Sequence, residues 1–244
     1  MVTALVTGAA AGLGAALAER LLADGTEVVA VDRAPMRARS GLHRHTLDLA
    51  DAAAVETFCV ELVGSLDLVV LNAGVSATGR FETLPAAAYE RLLRVNVTAP
   101  LLMAARLVER MEPGGTIVFV SSLSHRTGYP GASVYAASKD AVAAYARSVR
   151  RPFARRDVRV MCVFPGPVRT EHARRHAPPD ADEAARMDPD ELARRILQAV
   201  RRGRRTLYPG AAARATAIAG RAAPGRMTRL MRRLIFERLQ RDVW

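Results

Sequence analysis

Cysteine, aromatic residues and lysine are all scarce in this chain of 244 residues. The two cysteines, Cys59 and Cys162, stand far apart in apolar segments, a pattern typical of buried thiols in a reducing compartment. We therefore expect neither a disulfide nor a metal site. Long hydrophobic runs are also missing, since no apolar stretch reaches the roughly 18 residues of a membrane-spanning helix. Residues 2–7 are typical of a strand and not of a signal peptide, so we expect a cytoplasmic protein.

The scarcity of lysine is informative because the chain is strongly basic. Lys139 is the single lysine among 36 basic residues, and the net charge is +12. A bias that replaces lysine by arginine would spare a lysine where a compact ammonium is needed and a planar guanidinium would not fit. The alternative is an accident of composition. Lys139 is thus a candidate functional residue, and its neighbourhood decides between the two interpretations.

Apolar strand-like runs alternate with helical periodicity along most of the chain. The predicted strands cover 4–7, 28–32, 45–47, 68–71, 116–121, 159–164 and 205–208. The predicted helices cover 13–23, 52–63, 86–110, 134–155 and 189–202. This alternation predicts a single-domain α/β fold of the Rossmann type, a doubly wound parallel sheet with helices on both faces. We expect residues 1–210 to form the dinucleotide-binding and catalytic domain, and 211–244 a basic helical extension packed on it or on a partner.

A glycine-rich turn follows the first predicted strand and precedes a helix. Its glycines, Gly8, Gly12 and Gly14, would let backbone N–H groups approach a pyrophosphate at the positive end of that helix. Asp32 ends the second predicted strand, which is the context that a dinucleotide-binding turn requires. A plain strand-to-helix turn is the structural alternative.

Asp32 also bears on the choice of cofactor. Its carboxylate can accept hydrogen bonds from the adenosine ribose hydroxyls of NAD. Against the 2′-phosphate of NADP it would cost about 1 kcal/mol in water and about 4 kcal/mol at an effective dielectric constant near 20. The adjacent Arg33 could stack on adenine or hold a phosphate. We expect NAD, with NADP as the alternative.

Tyr135 and Lys139 lie four residues apart at the start of a predicted helix, on one face. An adjacent ammonium would favour the phenolate, and the oxidised nicotinamide ring would add positive charge in the same pocket, so we expect the pKa of Tyr135 to fall by about 3 from its usual value near 10. Since the pair is expected to open on the cofactor pocket, we also expect a Lys139→Arg change to leave fold stability almost unaltered.

With these motifs the chain resembles the compact, single-domain branch of the short-chain dehydrogenase/reductase superfamily, from residue 2 to about 170. The further matching motifs are Asn72-Ala73-Gly74, Asn96, the serine pair Ser121-Ser122, the Pro-Gly-x-Val-x-Thr stretch from Pro165, and Asp48-Leu49. The resemblance implies four catalytic residues: Asn96, Ser122, Tyr135 and Lys139. It also implies a set of cofactor-binding residues, to which Asp32 and Arg33 belong as well: Gly8, Gly12, Leu13, Gly14, Asp32, Arg33, Asp48, Leu49, Asn72, Ala73, Gly74, Tyr135, Lys139, Pro165, Gly166, Val168 and Thr170.

The resemblance implies an NAD(P)-dependent oxidoreductase that transfers a hydride between the nicotinamide and a secondary alcohol or ketone. Tyr135 would exchange the proton, and Asn96 would anchor a water that links Lys139 to solvent. The substrate would be a small, lipid-like or secondary-metabolite molecule, and the protein a homodimer or homotetramer. Two other functions stay open on the same fold: a redox-inactive dinucleotide sensor, and a protein that docks on a membrane or carrier.

The sequence leaves the role of three parts of the chain open: His125, the segment 171–188 and the segment 226–241. His125 lies where the family commonly has a small residue, so it either faces the substrate or is a solvated loop residue. The polar segment 171–188, with His172, Arg174, Arg175 and His176, predicts a mobile loop or short helices that close over the substrate.

Residues 226–241 have the spacing of a basic amphipathic helix. It would cover its own domain or a partner subunit, lie peripherally on an anionic membrane, or dock an acidic carrier protein. We expect no nucleic-acid binding, because interleaved aromatic residues and a known DNA-binding motif are missing.

Overall fold

The computed structural model describes residues 2–239 and 242–243. The seven strands are β1 (Thr3–Thr7), β2 (Glu27–Asp32), β3 (Leu42–Thr46), β4 (Leu66–Leu71), β5 (Met111–Val120), β6 (Arg159–Val163) and β7 (Thr206–Leu207). The helices are α1 (Gly12–Ala23), α2 (Ala52–Glu61), α3 (Ala86–Leu93), α4 (Ala99–Leu107), α5 (Ser124–Thr127), α6 (Ser133–Ala154), α7 (Glu171–Arg175), α8 (Pro189–Arg201), α9 (Ala211–Ala222) and α10 (Pro224–Leu234).

The strands form one parallel sheet in the order β3-β2-β1-β4-β5-β6-β7. One apolar cluster joins one face of the sheet to α2, α4 and α6, and a second joins the other face to α1 and α8. The predicted doubly wound Rossmann-type fold is therefore confirmed. The strand order reverses between β1 and β4, and the carboxyl ends of strands at such a point form the usual ligand-binding crevice.

Two elements differ from the sequence-based prediction. The third strand is Leu42–Thr46 rather than 45–47, because it is an edge strand whose polar residues give no apolar run. The predicted helix 86–110 is divided by a π-helical turn at Arg94–Thr98. Pro100 has no N–H to donate to the carbonyl of Asn96, which favours a wider turn at this point.

The C-terminal segment lies against the loops that precede α6. The Thr228 hydroxyl donates to the carbonyl of Thr127 at 3.2 Å, and Thr78 pairs with Val243 through hydrogen bonds of 2.8 and 2.7 Å. In place of one helix over 226–241, α10 ends at Leu234, and Arg241 lies outside the described residues. No helix in the described part of the chain is long and apolar enough to cross a membrane.

Candidate active site

The glycine-rich turn packs too tightly for side chains. The Gly8 N–H donates to the carbonyl of Val31 at 2.8 Å, and Gly8 has a φ of +70°. A Cβ on Gly14 would lie 1.9 Å from the Gly8 carbonyl oxygen, which no side chain could tolerate. The backbone N–H groups at the start of α1 are thus left open to a ligand, which fits the pyrophosphate of a dinucleotide.

The Asn72-Ala73-Gly74 motif fastens the end of β4 to β1. The buried Thr7 hydroxyl oxygen accepts hydrogen bonds from the N–H groups of Asn72 and Ala73, both at 3.0 Å. The Asn72 amide donates to the Thr7 carbonyl at 3.0 Å. A Cβ on Gly74 would lie 3.2 Å from Nζ of Lys139, so the glycine leaves space for the lysine.

Asp32 is oriented by the glycine-rich turn. Its carboxylate accepts from the N–H of Ala10 at 3.0 Å and from the N–H of Ala34 at 2.9 Å. Arg33 beside it is exposed. The carboxylate therefore lies at the carboxyl end of β2, where the ribose of a dinucleotide would be expected.

Asp48 and Leu49 lie at the neighbouring end of β3. The Asp48 carboxylate accepts from the Ala50 N–H at 3.0 Å and pairs with Arg91 at 3.1 Å. The Ala50 hydrogen bond and the Arg91 guanidinium both lower the pKa of Asp48. Leu49 is buried in the core.

The segment after β6 reaches back to the glycine-rich turn. The Leu123 N–H donates to the Pro165 carbonyl at 2.9 Å, and the Thr170 N–H to that of Val168 at 2.9 Å. The Thr170 hydroxyl accepts from the Ala173 N–H at 3.1 Å and so caps α7. A Cβ on Gly12 would lie 3.0 Å from the Thr170 methyl group. A Cβ on Gly166 would lie 3.3 Å from the Leu123 side chain. Leu13, at the start of α1, is buried in the core.

Tyr135 and Lys139 lie one turn apart near the start of α6. Lys139 is 4% exposed, its Nζ lies 5.7 Å from the centroid of the Tyr135 ring, and it donates to the Val120 carbonyl at 3.0 Å. The Ser122 hydroxyl stands near the Tyr135 phenol, where a hydrogen bond to the phenolate would lower the pKa of the tyrosine. Ser121, the first serine of the pair, has a different partner: its hydroxyl donates to the Lys139 carbonyl at 2.8 Å.

Asn96 is held from three sides within the π-helical turn. Its Oδ1 accepts from the Val75 N–H at 2.8 Å, while Nδ2 donates to the Val75 carbonyl at 2.9 Å and to Ser138 Oγ at 3.0 Å. The Ser138 hydroxyl donates to the Tyr135 carbonyl at 2.7 Å. The motifs in the sequence do not identify Ser138 as part of the site, although it stands between Tyr135 and Lys139 on the same helix.

Burial dominates the titration of the two central residues. It raises the pKa of Tyr135 to about 12, against a hydrogen bond with Ser122 that lowers it. It lowers the pKa of Lys139 to about 8. Among the groups of the protein itself, desolvation therefore outweighs any effect of an ammonium that faces the Val120 carbonyl. The expected fall in the pKa of Tyr135, which includes the charge of an oxidised nicotinamide ring, stays a prediction.

The side chain of His125 is buried and held by its neighbours, so His125 is not a solvated loop residue. Its side chain is 2% exposed, its ring stacks on Phe164 at 4.1 Å, and Nε2 bonds the Tyr208 hydroxyl at 3.1 Å. Burial, together with Arg126 and Arg147, lowers the pKa of His125 to about 4. The ring is thus a neutral packing element between α5 and the end of β6.

This burial predicts a loss of stability in acid. An unfolded histidine takes up a proton near pH 6.5, whereas folded His125 does so only near pH 4, so stability falls as the pH drops through this interval. The loss amounts to about 3 kcal/mol at its largest. We expect the free energy of unfolding, measured by denaturant titration, to depend less steeply on pH between 6.5 and 4 in His125→Gln.

The exposed His43 offers the matched control, and His43→Gln should keep the wild-type slope. His176 also has a pKa lowered to about 4 by burial, so a residual slope should remain in His125→Gln. Equal slopes in wild type and His125→Gln would contradict the assignment.

The segment after Thr170 contains α7 and then an irregular stretch up to α8. His172 and His176 face each other with ring centroids 4.9 Å apart, and Nδ1 of His176 bonds the Thr78 hydroxyl at 3.1 Å. Burial and then Lys139 lower the pKa of His172. This segment therefore lies close to the catalytic candidates and joins them to the loop after β4.

Residues 2–180 match the family model described as short chain dehydrogenase. The chain is 33% identical over 176 residues to a cyclic-di-GMP-binding biofilm dispersal mediator protein of Escherichia coli K12, covering 69% of this chain and 74% of that protein. It is 33% identical over 175 residues to the 3-oxoacyl-[acyl-carrier-protein] reductase MabA of Mycobacterium tuberculosis H37Rv, covering 70% of each chain. Among solved structures, a Burkholderia cenocepacia short chain dehydrogenase in complex with NADP superposes with a TM-score of 0.82 and 26% identity, covering 94% of this chain and 97% of that one.

Proposed function

We propose, from the premise that the chain belongs to the short-chain dehydrogenase family, that it is an oxidoreductase acting between a secondary alcohol and a ketone with a nicotinamide dinucleotide. The observation that supports this most is the buried Lys139 ammonium one helical turn from Tyr135, with Nζ 5.7 Å from the centroid of the Tyr135 ring. The Ser122 hydroxyl stands near the same phenol. A proton donor, a second hydroxyl and a buried cation thus meet at the carboxyl edge of the sheet. That combination suits the protonation of an oxygen whose carbon gains a hydride.

Each residue has a role in this proposal. Tyr135 donates its proton to the carbonyl oxygen during reduction and takes it back during oxidation. A pKa of about 12 keeps the phenol protonated at neutral pH, so Tyr135 holds the proton that the reduction needs. Ser122 donates a hydrogen bond to the same oxygen. When bound, the nicotinamide supplies or accepts the hydride.

Lys139 and Asn96 act behind this pair. The Lys139 ammonium stabilises the phenolate that forms when Tyr135 has given up its proton, and it would hold the nicotinamide ribose. Asn96 fixes the loop after β4 through its two hydrogen bonds to Val75, and it positions α6 through Ser138. Its proposed role in anchoring a water would use the second lone pair of Oδ1 or the backbone, because Nδ2 already donates two hydrogen bonds.

The dinucleotide would bind along the carboxyl ends of β1, β2 and β4. We propose that it contacts these residues, which end or follow β1, β2, β3, β4 and β6: Gly8, Gly12, Leu13, Gly14, Asp32, Arg33, Asp48, Leu49, Asn72, Ala73, Gly74, Pro165, Gly166, Val168 and Thr170. The tight contact of Gly8 with Gly14 supports this, since it leaves the helix N-terminus open to a phosphate. Asp32 supports NAD over NADP, although the Burkholderia cenocepacia structure contains NADP.

Cofactor preference should follow Asp32. We expect wild type to favour NAD, and Asp32→Ala to shift the preference toward NADP because repulsion of the 2′-phosphate is removed. The measurement is kcat/KM for both cofactors. The neighbouring change Arg33→Ala serves as the control and should weaken the use of NADP selectively. Similar values for both cofactors in wild type would contradict the preference.

Turnover of cofactor with a panel of secondary alcohols and ketones tests the function as a whole. A redox-inactive sensor would bind the dinucleotide and turn over none of them. We further propose that the protein acts on a small-molecule substrate as a homodimer or homotetramer. Residues 211–244 would then serve as a cover on the domain 1–210, which the contact of Thr228 with Thr127 supports.

A further inference from the structure

A cavity of about 440 Å³ lies between the segment 171–188, the loop after β4 and the C-terminal tail. Its lining combines apolar residues, Pro178, Pro179 and Leu239, with the guanidinium groups of Arg174, Arg175 and Arg186. Such a mixture of apolar surface and a few convergent polar groups is typical of a ligand site.

Arg186 is the unusual member of this wall. Its side chain is 6% exposed, and its Nη1 is buried without a hydrogen-bond partner among the described residues. Glu183 lies 3.2 Å from that nitrogen, but the pair has no hydrogen-bond geometry, and Oε2 of Glu183 is also buried without a partner. A buried guanidinium with an unused donor is costly unless a further group completes it.

The surrounding charge favours an anion as that group. Glu183 faces two guanidinium groups, since Arg174 Nε lies 3.9 Å away on the other side. Arg175 adds a third positive charge to the same wall. Arg174 also pairs with Glu171 at 2.8 Å, so two carboxylates stand against three arginines and one positive charge is left in excess.

The lining of the cavity is connected to the catalytic candidates through neighbouring residues. Thr78 lines it, three residues after Val75, whose backbone holds Asn96. Tyr129 links the two sites: its ring contacts that of Tyr135 edge to face, with centroids 6.4 Å apart. Burial raises the pKa of Tyr129, whereas the Arg186 charge lowers it, so guanidinium and phenol are close enough to interact.

We propose that this cavity holds an anionic end of the substrate, a carboxylate or phosphate, with Arg186 as the residue that selects for it. The apolar wall would take the aliphatic part between that anion and the oxygen that reacts at Tyr135. The inference rests on the proposed function, because it names the substrate class of the same site.

The test uses methyl ketones that carry a terminal carboxylate on alkyl chains of increasing length, each paired with its uncharged methyl ester. We expect kcat/KM of wild type to favour the acid over its ester at least tenfold at one optimal chain length. Arg186→Gln should raise KM for that acid about tenfold and leave the ester unchanged. Glu183→Gln should lower KM for the acid, because it removes the competing carboxylate.

Two variants separate this role from a structural one. The double variant E183Q/R186Q removes both buried charges together and should fold normally, yet lose the preference for the acid. Arg201→Gln, an exposed arginine paired with Asp24, makes the same change of net charge far from the cavity and should behave as wild type. A merely structural Arg186 would weaken acid and ester equally, which would overturn the inference.

Binding of hexanoate, measured by calorimetry without turnover, distinguishes the two proposals. Binding to wild type and loss of binding in Arg186→Gln, with no ketone turned over, would sustain the anion site and overturn the oxidoreductase. Turnover of acid and ester at equal rates would sustain the oxidoreductase and overturn the anion site. Absence of both hexanoate binding and turnover would overturn both.

Discussion

Replacing Tyr135 by phenylalanine should lower kcat at least a hundredfold while leaving the affinity for the dinucleotide nearly unchanged. The change removes one hydroxyl, and with it the proton that the substrate oxygen receives. Proton transfer of this kind contributes about 10²–10⁴-fold to a rate. Steady-state kinetics gives kcat, and a fluorescence titration of the cofactor gives its affinity.

The same helix provides the control for this variant. The Tyr145 phenol donates to the Leu101 carbonyl at 3.3 Å, away from the catalytic candidates. Tyr145→Phe removes a hydroxyl of the same kind and should keep kcat near that of wild type. If Tyr135→Phe retained more than about a hundredth of the wild-type rate, the role of the tyrosine as acid and base would be wrong.

Replacing Lys139 by arginine should lower kcat/KM at least tenfold, which is roughly 1.4 kcal/mol of transition-state stabilisation. The charge is conserved, so the effect is steric. Nζ is buried, donates to the Val120 carbonyl at 3.0 Å, and depends on the absence of a side chain at Gly74, where a Cβ would lie 3.2 Å away. A forked guanidinium needs more room than this.

The structure changes one part of this prediction. Because Lys139 is 4% exposed, the larger side chain should also lower the free energy of unfolding, by about 1–3 kcal/mol as overpacked cores do. The sequence-based expectation that Lys139→Arg leaves stability almost unaltered does not agree with the burial of Lys139. Kinetics should therefore be measured well below the unfolding temperature of the variant.

Arg147→Lys, the reverse exchange at an exposed position of α6, is the control and should leave both kcat/KM and stability unchanged. Near-normal turnover of Lys139→Arg would mean that the single lysine of the chain is an accident of composition.

The fold could be predicted from the sequence where burial and local pattern agree. The central strands β1, β4 and β5 are buried on both faces of the sheet, so they form apolar runs that are visible without a structure. The edge strand β3 has no such run, and its limits were misplaced. The division of the helix at 86–110 depends on Pro100 and the hydrogen bonds of Asn96, which periodicity does not report.

The residues of the candidate site also fall into those that the sequence predicts and those that only the structure shows. Tyr135, Lys139 and the glycines belong to short motifs whose spacing carries their chemistry, so they could be named in advance. The pKa of Tyr135 could not, because it depends on desolvation by residues from several elements. Arg186 was missed for a related reason: among 35 arginines, only the packing of the tail and the segment 171–188 distinguishes a buried one.

The pairing of the C-terminal tail with the loop after β4 has a consequence for the order of folding. Thr78 exchanges two hydrogen bonds with Val243, and the Asp242 carboxylate accepts from the Arg80 N–H and the Thr83 hydroxyl. Contacts between such distant parts of a chain carry a large entropic cost and form late. During synthesis the strands β1 to β7 can therefore pair while the ribosome still holds the tail. The cavity beside the segment 171–188 gains its last wall only after residue 243 has left the exit tunnel.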